Sequence, residues 1–239
     1  FFLCLWHYAV HAPFQAKADI TRKYRHKRDP RGKQECPVMA AMLQSLDESL
    51  GRVLDKLDEL GLTDETIVIF TSDNGGNMYN QVEGRPPTNN YPLRGGKATI
   101  YEGGTREPCI IVWPGVVKPG TKCHDVISSV DFYPTILEMA GLSPQRGHIL
   151  DGESIVPLLK GAGKLQREAI FCHLERPTRD HPATFRPTGS SPSRMAPRVN
   201  ISLIVLPTKL SNTSKKTGAS RFSYACGITP CMLRFKPKR

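Results

Sequence analysis

The sequence has few aromatic residues and no long apolar run. Of its 239 residues only 2 are Trp, and aromatic side chains make up 8%. The opening apolar stretch, FFLCLW at Phe1–Trp6, is far shorter than the roughly 20 residues that a membrane-spanning helix needs. We therefore expect no membrane span. Hydrophobic residues at 39% and charged residues at 23% are ordinary for a globular chain and exclude wholesale disorder.

The last part of the chain lacks acidic residues. Residues 177–239 hold 12 Lys or Arg and one acid, Asp180, and so carry the whole net charge of +11. Residues 1–176 are balanced, with 21 residues of each sign, and show no basic footprint for nucleic acid. We therefore predict a folded portion at 1–176 and a basic Pro/Ser-rich tail at 177–239, either a remnant of a small C-terminal subdomain or disordered. We expect no specific nucleic-acid partner.

Two further signals are missing. The seven Cys have scattered spacings, which fit neither a zinc finger nor a disulfide scaffold. The chain opens on Phe1 with neither Met nor a positively charged leader. We expect it to begin inside a fold, so its localisation cannot be read from the N-terminus.

Residues 37–60 carry the clearest periodic pattern. Their apolar residues are spaced alternately four and three apart, from Met39 to Leu60, which predicts one face of an α-helix. Pro37 suits its first turn, and Gly61 suits the left-handed position that ends a helix.

Short apolar runs alternate with helical patterns. The runs TIVIF at 66–70 and CIIVW at 109–113 indicate strands buried on both faces, and FFLCLW indicates a third. A helix is predicted after Asp131 as N-cap, ending at Gly141, and SLIVL at 202–206 is a further strand prediction. The pattern predicts an α/β fold with a mostly parallel sheet flanked by helices.

Polar side chains follow the second of these strands. Asp73 and Asn74 come directly after TIVIFTS and precede two glycines, and ligands of parallel sheets bind at the carboxyl ends of strands. Carboxylate and amide oxygens suit Ca²⁺ or Mg²⁺ rather than zinc. A plain loop turn is the alternative interpretation, because the same residues are common in turns.

Two other clusters could complete a site. Lys97 lies between the double glycines of LRGGK and YEGGTREP, a pattern that could bind an anion or be a solvated surface loop. His7 and His11 follow the first strand and could contact an anion or move a proton. Together the three clusters supply the groups needed for metal-assisted displacement at a tetrahedral oxyanion.

Six segments then carry a family resemblance. In order they are HYAVHAPF, LDELGL, TIVIFTSDNGG, LRGGKATIYEGGTREP, VDFYPTILEMAGL and LDGESIVPLL. They resemble the C-terminal half of the catalytic domain of the formylglycine-dependent (type I) sulfatases, in the alkaline phosphatase superfamily. The resemblance implies an alkaline phosphatase-like fold whose N-terminal part is missing here.

The resemblance also implies roles for individual residues. Asp73 and Asn74 match a pair of calcium ligands, with Mg²⁺ possible. Lys97 matches a lysine that contacts the sulfate group, and His11 matches a sulfate-binding histidine that can protonate the leaving oxygen. His7 and Arg106 match less securely. The implied reaction is hydrolysis of sulfate esters, with a sulfated polysaccharide or an aryl sulfate as substrate.

One part of the family pattern is absent from its expected place. The family's formylglycine nucleophile is expected upstream of Phe1, so we predict negligible turnover by this chain alone. SSPSR at 190–194 fits the nucleophile motif by letter, but it follows the motifs that it should precede, and we interpret it as a coincidence. A truncated or frame-shifted product would explain the unfamiliar tail. The alternatives are a phosphomonoester or phosphonate hydrolase of the same superfamily and a non-catalytic degenerate fragment.

Overall fold

A computed structural model describes residues 1–170, 202–204 and 229–234. Within these ranges six strands form one sheet in the order β1-β6-β2-β3-β5-β4. The strands are β1 (Phe2–Cys4), β2 (Thr66–Thr71), β3 (Pro108–Val112), β4 (Lys122–Cys123), β5 (Ser202–Ile204) and β6 (Thr229–Arg234). All three runs expected to be strands in residues 1–113 are therefore strands, and so is the first part of SLIVL.

Five α-helices accompany the sheet within the described ranges. They are α1 (Ala18–Tyr24), α2 (Pro37–Glu59), α3 (Glu102–Thr105), α4 (Phe132–Met139) and α5 (Val156–Leu159). Two 3₁₀ turns, Thr63–Glu65 and Ser129–Asp131, precede β2 and α4. None of the helices in these ranges is long and apolar enough to cross a bilayer.

Helix α2 confirms the periodicity prediction at both ends. Pro37 occupies its first turn, where the missing N–H of proline costs no helical hydrogen bond. The helix ends at Glu59, and Gly61 follows with φ +64°. Its buried positions include Met39, Met42 and Leu46, which lie on the apolar stripe.

Strand β2 is covered on both faces. Ile67 and Ile69 are buried in a cluster with residues of α4 and α5, such as Met139 and Val156. Phe70 packs in a second cluster with Leu46 of α2 and Ile110 of β3. Helices therefore cover both sides of the sheet, as the continuous apolar run predicted.

Strand direction differs from the expected mostly parallel arrangement. Strand β2 pairs antiparallel with β3, with Thr71 opposite Cys109, and β3–β5 is the parallel pair among the described strands. An apolar run shows that both faces of a strand are covered, whatever the direction of its neighbours. Among the described strands the sheet is therefore not mostly parallel as expected, although the α/β class was correct.

Asp131 immediately precedes α4, as predicted, but its side chain does not cap that helix. Its carboxylate instead accepts hydrogen bonds from the backbone N–H groups of Ser128 (2.7 Å) and Glu153 (3.1 Å). It also binds the guanidinium of Arg167 through two nitrogens. The predicted cap is thus replaced by a junction between three segments.

Two short segments of the basic tail, β5 and β6, belong to the same sheet as the rest of the strands. Strand β6 lies between β1 and β2 and is antiparallel to both. The division into 1–176 and 177–239 stays a prediction. The nucleophile-like SSPSR at 190–194 lies outside the described residues.

Candidate functional site

The turn after β2 presents the two predicted metal ligands side by side. Ser72 is buried, and its hydroxyl donates to the carbonyl O of Asn74 at 3.0 Å. The Asn74 amide donates to Asp73 Oδ1 at 2.6 Å, and Asp73 is exposed. Carboxylate and amide oxygens are hard donors, and this turn places one of each on adjacent residues.

Three double glycines, Gly75–Gly76, Gly95–Gly96 and Gly103–Gly104, meet beside this turn. Gly75 N–H donates to the carbonyl O of Gly104 at 3.1 Å, and Gly103 N–H donates to that of Arg94 at 2.8 Å. A Cβ at Gly75 would overlap the backbone of Gly103, and one at Gly103 would overlap Gly95. Close approach of backbones, rather than turn geometry alone, therefore requires these glycines.

This glycine junction brings Lys97 to the metal-ligand turn. The Lys97 N–H donates to the carbonyl O of Gly76 at 3.0 Å. The Asn90 side chain accepts from Gly76 N–H (3.0 Å) and donates to the carbonyls of Gly76 (3.1 Å) and Gly95 (3.0 Å). The backbones of Lys97 and of the Asp73–Asn74 turn are thus fixed to each other through Gly76.

His11 lies on a separate turn, residues 8–14. Its Nδ1 is 2.8 Å from the carbonyl O of Ala12, and a carbonyl can only accept, so Nδ1 carries the proton and Nε2 is available to a ligand. The turn packs through Val10 and Phe14 on Met39 and Met42 of α2. Among the described residues, no hydrogen bond or ion pair joins His11 to Asp73 or Lys97.

The two less secure residues have other neighbours. Burial and the nearby Arg52 guanidinium of α2 lower the pKa of His7, and its Nε2 is buried without a hydrogen-bond partner in the described part of the chain. Arg106 forms an ion pair with Glu102 at 3.5 Å. Neither contact involves Asp73 or Lys97.

Glu107 is a site residue that the sequence analysis missed. It is 5% exposed, and its Oε1 has no hydrogen-bond partner among the described residues. Burial raises the pKa of its carboxyl to about 8; a hydrogen bond with Ser72 opposes the rise, and the nearby Asp73 carboxylate adds to it. A second acidic group therefore stands next to the predicted ligands Asp73 and Asn74.

The antiparallel pairing explains why Glu107 lies there. Since Thr71 is opposite Cys109, the residues that follow β2 lie beside those that precede β3. An acid directly before an apolar strand was the available signal, but it becomes informative only once the strand direction is known.

No group of three or more His, Cys, Asp or Glu that could hold a metal ion occurs in residues 1–170 or the two other described segments. A cation at Asp73 and Asn74 would need further ligands. The donor set itself fits a hard cation, and the Glu107 Oε1, which has no hydrogen-bond partner among the described residues, lies at the same strand end.

Comparison with known proteins places these features in a family. The family model described as Sulfatase matches residues 1–142, which is more than half of the chain. This chain belongs to the sulfatase family. This match bears out the resemblance drawn from the sequence motifs.

Individual relatives agree with this assignment. The sulfatase chain is 37% identical over 188 residues to a sulfatase of Formosa agariphila, covering 72% of this chain and 32% of that protein. It is 41% identical over 135 residues to human arylsulfatase A, and the match covers 56% of this chain and 26% of that protein. The chain thus spans a third or less of the length of these relatives.

A solved structure supports the fold. The crystal structure of Ps i-CgsB matches the sulfatase chain with a TM-score of 0.57 and 30% identity, covering 66% of this chain and 33% of that one. Together with the family match, this confirms the predicted alkaline phosphatase-like α/β fold.

Proposed function

We propose that this chain carries part of the active site of a sulfate-ester hydrolase. The observation that carries the proposal is the hydrogen bond from Lys97 N–H to Gly76 O, because it holds a cation-bearing residue beside the oxygen ligands Asp73 and Asn74. Relatives named as sulfatases favour sulfate esters over the phosphate or phosphonate esters that the superfamily alone would allow.

Asp73 and Asn74 would hold a divalent cation, Ca²⁺ in preference to Mg²⁺. Ca²⁺ accepts carboxylate and amide oxygens in irregular geometry, whereas Mg²⁺ demands a near-ideal octahedron. When bound, the cation would offset negative charge on the sulfate oxygens. Asp73 and Asn74 would supply only part of the ligand set, and we propose that other parts of the protein supply the rest.

Lys97 and His11 would act on the sulfate group itself. The Lys97 ammonium would neutralise part of the sulfate charge. The bound substrate must place its leaving oxygen within reach of His11. A proton on His11 Nε2 would pass to that oxygen as a nucleophile displaces it from sulfur, while Nδ1 keeps its hydrogen bond to the carbonyl O of Ala12. The substrate class is proposed to be a sulfated polysaccharide or an aryl sulfate.

Calcium binding to the full chain tests the metal half of the proposal. Asp73→Ala should weaken Ca²⁺ binding at least tenfold in isothermal titration calorimetry, because it removes the one charged ligand of the pair. Asp58→Ala, an exposed acid of α2, should change the affinity less than twofold. Equal affinities in all three proteins would contradict the assignment of Asp73.

Oxyanion binding tests the sulfate half. Sulfate ion added to the calcium-loaded chain should bind more weakly to Lys97→Ala than to the parent, by about tenfold, since one direct charge contact is lost. A matched titration with inorganic phosphate distinguishes the two chemistries. Tighter binding of phosphate, with the same dependence on Lys97, would favour phosphoryl transfer and overturn the sulfatase proposal.

A further inference from the structure

A dense run of positive charge spans the last turn of α1 and the loop between α1 and α2. Residues 22–33, here named the basic loop, contain seven Lys or Arg and one acid, Asp29. All seven cationic residues are exposed. The loop forms a local patch inside a region, residues 1–176, whose charges otherwise balance.

Most of this charge is not neutralised by the protein. Arg25 pairs with Glu83 through two hydrogen bonds of 3.2 and 3.0 Å, and Arg31 pairs with Asp29. The other five cationic side chains have no acidic partner among the described residues; they are Arg22, Lys23, Lys27, Arg28 and Lys33. Cations left this way are available to an anion from outside.

The basic loop is held in shape from within. Asp29 accepts hydrogen bonds from the backbone N–H groups of Arg31 (3.2 Å), Lys33 (3.0 Å) and Gln34 (3.1 Å), and its side chain is only 8% exposed. Arg28 donates to the carbonyl oxygens of Arg25 and Lys27, both at 3.1 Å. A ligand would therefore meet an ordered arrangement of charges and lose less free energy in fixing it.

The same loop is fastened to the segment that leads into the candidate site. The side chain of Gln34 donates to the carbonyl O of Asn89 and accepts from its N–H (3.2 Å). Arg85 donates to the carbonyl O of Glu35 at 3.1 Å. Lys33 Nζ lies 5.0 Å from the centre of the Tyr91 ring.

The route from this contact to Lys97 is short. Asn90, next to Asn89, holds Gly76 and Gly95 through its side chain, and Gly76 accepts from Lys97. The C-terminal end of the basic loop is therefore connected to the candidate sulfate site through Gln34, Asn89 and Asn90. Tyr91 is 57% exposed between them.

We propose that the basic loop, with Tyr91, binds further sulfate groups of a polymeric substrate whose reacting sulfate lies at Lys97. The inference deepens the proposed function and rests on it: the substrate is an extended sulfated polysaccharide rather than a small aryl sulfate. Guanidinium groups suit the oxygens of sulfate, and an exposed aromatic ring can pack against a sugar face.

The position of the patch distinguishes this polymer from other polyanions. Nucleic acid or an anionic membrane would also be attracted by the charge, but nothing in that attraction requires the loop to be fastened to the sulfate site. A sulfated polymer needs both features, because its second and third sulfate groups lie within a few sugar units of the reacting one.

Binding of fluorescently labelled dextran sulfate to the full chain tests the proposal. The variant Lys27→Glu/Arg28→Glu should weaken binding at least fivefold in 50 mM salt, and unsulfated dextran should not bind. The slope of log affinity against log salt should fall in magnitude by about two, because about two fewer counterions are displaced. Both substituted side chains are exposed, so the thermal midpoint should fall only slightly, through the loss of the two hydrogen bonds from Arg28.

A matched control isolates the loop from the rest of the charge. Lys118→Glu/Lys122→Glu changes the net charge by the same amount at two exposed positions. Lys122 lies on β4, an edge strand of the sheet, and Lys118 lies shortly before it. It should alter the affinity less than twofold. Residues 177–239 carry 12 Lys or Arg, but they are the same in both variants and cancel in the comparison. Equal weakening by the two variants would overturn the proposal.

Two further probes decide the partner. The two probes are a single-stranded DNA of matched charge and vesicles containing phosphatidylserine. The loop variant should weaken the binding of either probe less than it weakens the binding of dextran sulfate. Equal or greater dependence would assign the loop to that polyanion instead and overturn the proposal.

The two proposals fail separately. Lys97→Ala should weaken the binding of sulfate ion and of dextran sulfate, because both place a sulfate group at Lys97, whereas the loop variant should weaken only dextran sulfate binding. If the loop variant weakens dextran sulfate binding but Lys97→Ala leaves sulfate-ion binding unchanged, the proposed function fails. If only the Lys97 result is obtained, the polymer inference fails.

Discussion

At the scale of single residues, Glu107 has the chemistry most altered by its surroundings. Its carboxyl has a pKa raised to about 8 by burial, and its Ser72 neighbour donates to the carbonyl of Asn74. With its proton retained, Glu107 can donate to Ser72 Oγ while Ser72 donates to Asn74. This relay, the two successive hydrogen bonds from Glu107 to Ser72 and from Ser72 to Asn74, would hold the Asp73–Asn74 turn in place.

The raised pKa makes stability depend on pH in a defined direction. Below pH 4.5 Glu107 is protonated in both the folded and the unfolded chain; between about 4.5 and 8 only the folded chain keeps the proton. The free energy of unfolding should therefore fall as pH rises through this window, by up to about 1.4 kcal/mol per pH unit. Urea unfolding in EDTA, at pH 5 to 8, measures it.

Glu107→Gln should remove this fall, because an amide has no proton to lose in the window. Glu168→Gln, at an exposed position, should retain the pH dependence of the parent chain. Parallel curves for the parent and Glu107→Gln would show that Glu107 is ionised when folded and would refute the relay.

At the scale of elements, the glycine junction sets the geometry of the site. Gly75→Ala should weaken Ca²⁺ binding at least tenfold and lower the thermal midpoint, because the added Cβ overlaps the backbone of Gly103 and neither backbone can move alone. Calorimetric titration and a melting curve measure the two effects.

Gly51→Ala is the matched control. Gly51 lies within α2, and a Cβ there meets no atom within 4 Å. Alanine should raise the free energy of unfolding by about 0.5–1 kcal/mol through helix propensity and leave Ca²⁺ binding unchanged. Weaker Ca²⁺ binding in this variant would mean that general loss of structure, not the junction, explains the result at Gly75.

Elements were also where prediction from sequence succeeded best. The four-three spacing of α2 and the apolar runs of β2 and β3 reflect burial, and burial was sufficient to locate all three. Burial does not encode the direction of a neighbouring strand, so the antiparallel β2–β3 pairing was not predicted. Glu107 was missed for the same reason, because that pairing is what places it beside the residues after β2. Asp73, Asn74 and Lys97 were predicted together through family motifs, and the backbone contacts through Gly76 explain why those motifs contain paired glycines.

At the scale of the whole molecule, the question is how far the folded unit extends. The family match ends at residue 142, yet the network around Asp131 reaches Arg167. Asp131 is fully buried and Arg167 is 18% exposed. The carboxylate of Glu153 accepts from the N–H groups of Gln166 (2.9 Å) and Arg167 (3.1 Å). Residues 151–167 are therefore joined to the core beside α4.

Removing the cation of this network should destabilise the chain strongly. Arg167→Met should lower the free energy of unfolding by about 3–5 kcal/mol, since it leaves the buried Asp131 carboxylate without its countercharge. Chemical denaturation measures this, with Arg146→Met at an exposed position as the control. A loss below about 1 kcal/mol would mean that residues beyond 142 are an appendage and not part of the folded unit.

The net charge of a long segment does not reveal a local cluster of charge within it. Residues 1–176 sum to zero, and that balance indicated no basic footprint for nucleic acid. The basic loop nonetheless concentrates seven cations in 12 residues. Neither its attachment to the site segment nor its lack of acidic neighbours can be read from composition, because Glu83 and Asn89 are more than 50 positions away along the chain.

That separation has a consequence for how the protein is made. The partners that fasten the basic loop follow it by 50 to 58 positions. At a synthesis rate of about 5–20 residues per second, the ribosome adds Glu83 and Asn89 roughly 3 to 12 seconds after Arg25 and Gln34. During that interval the nascent cationic segment lacks the partners that fasten it, so its shape and its position beside the site can be completed only after Glu83 and Asn89 have been added.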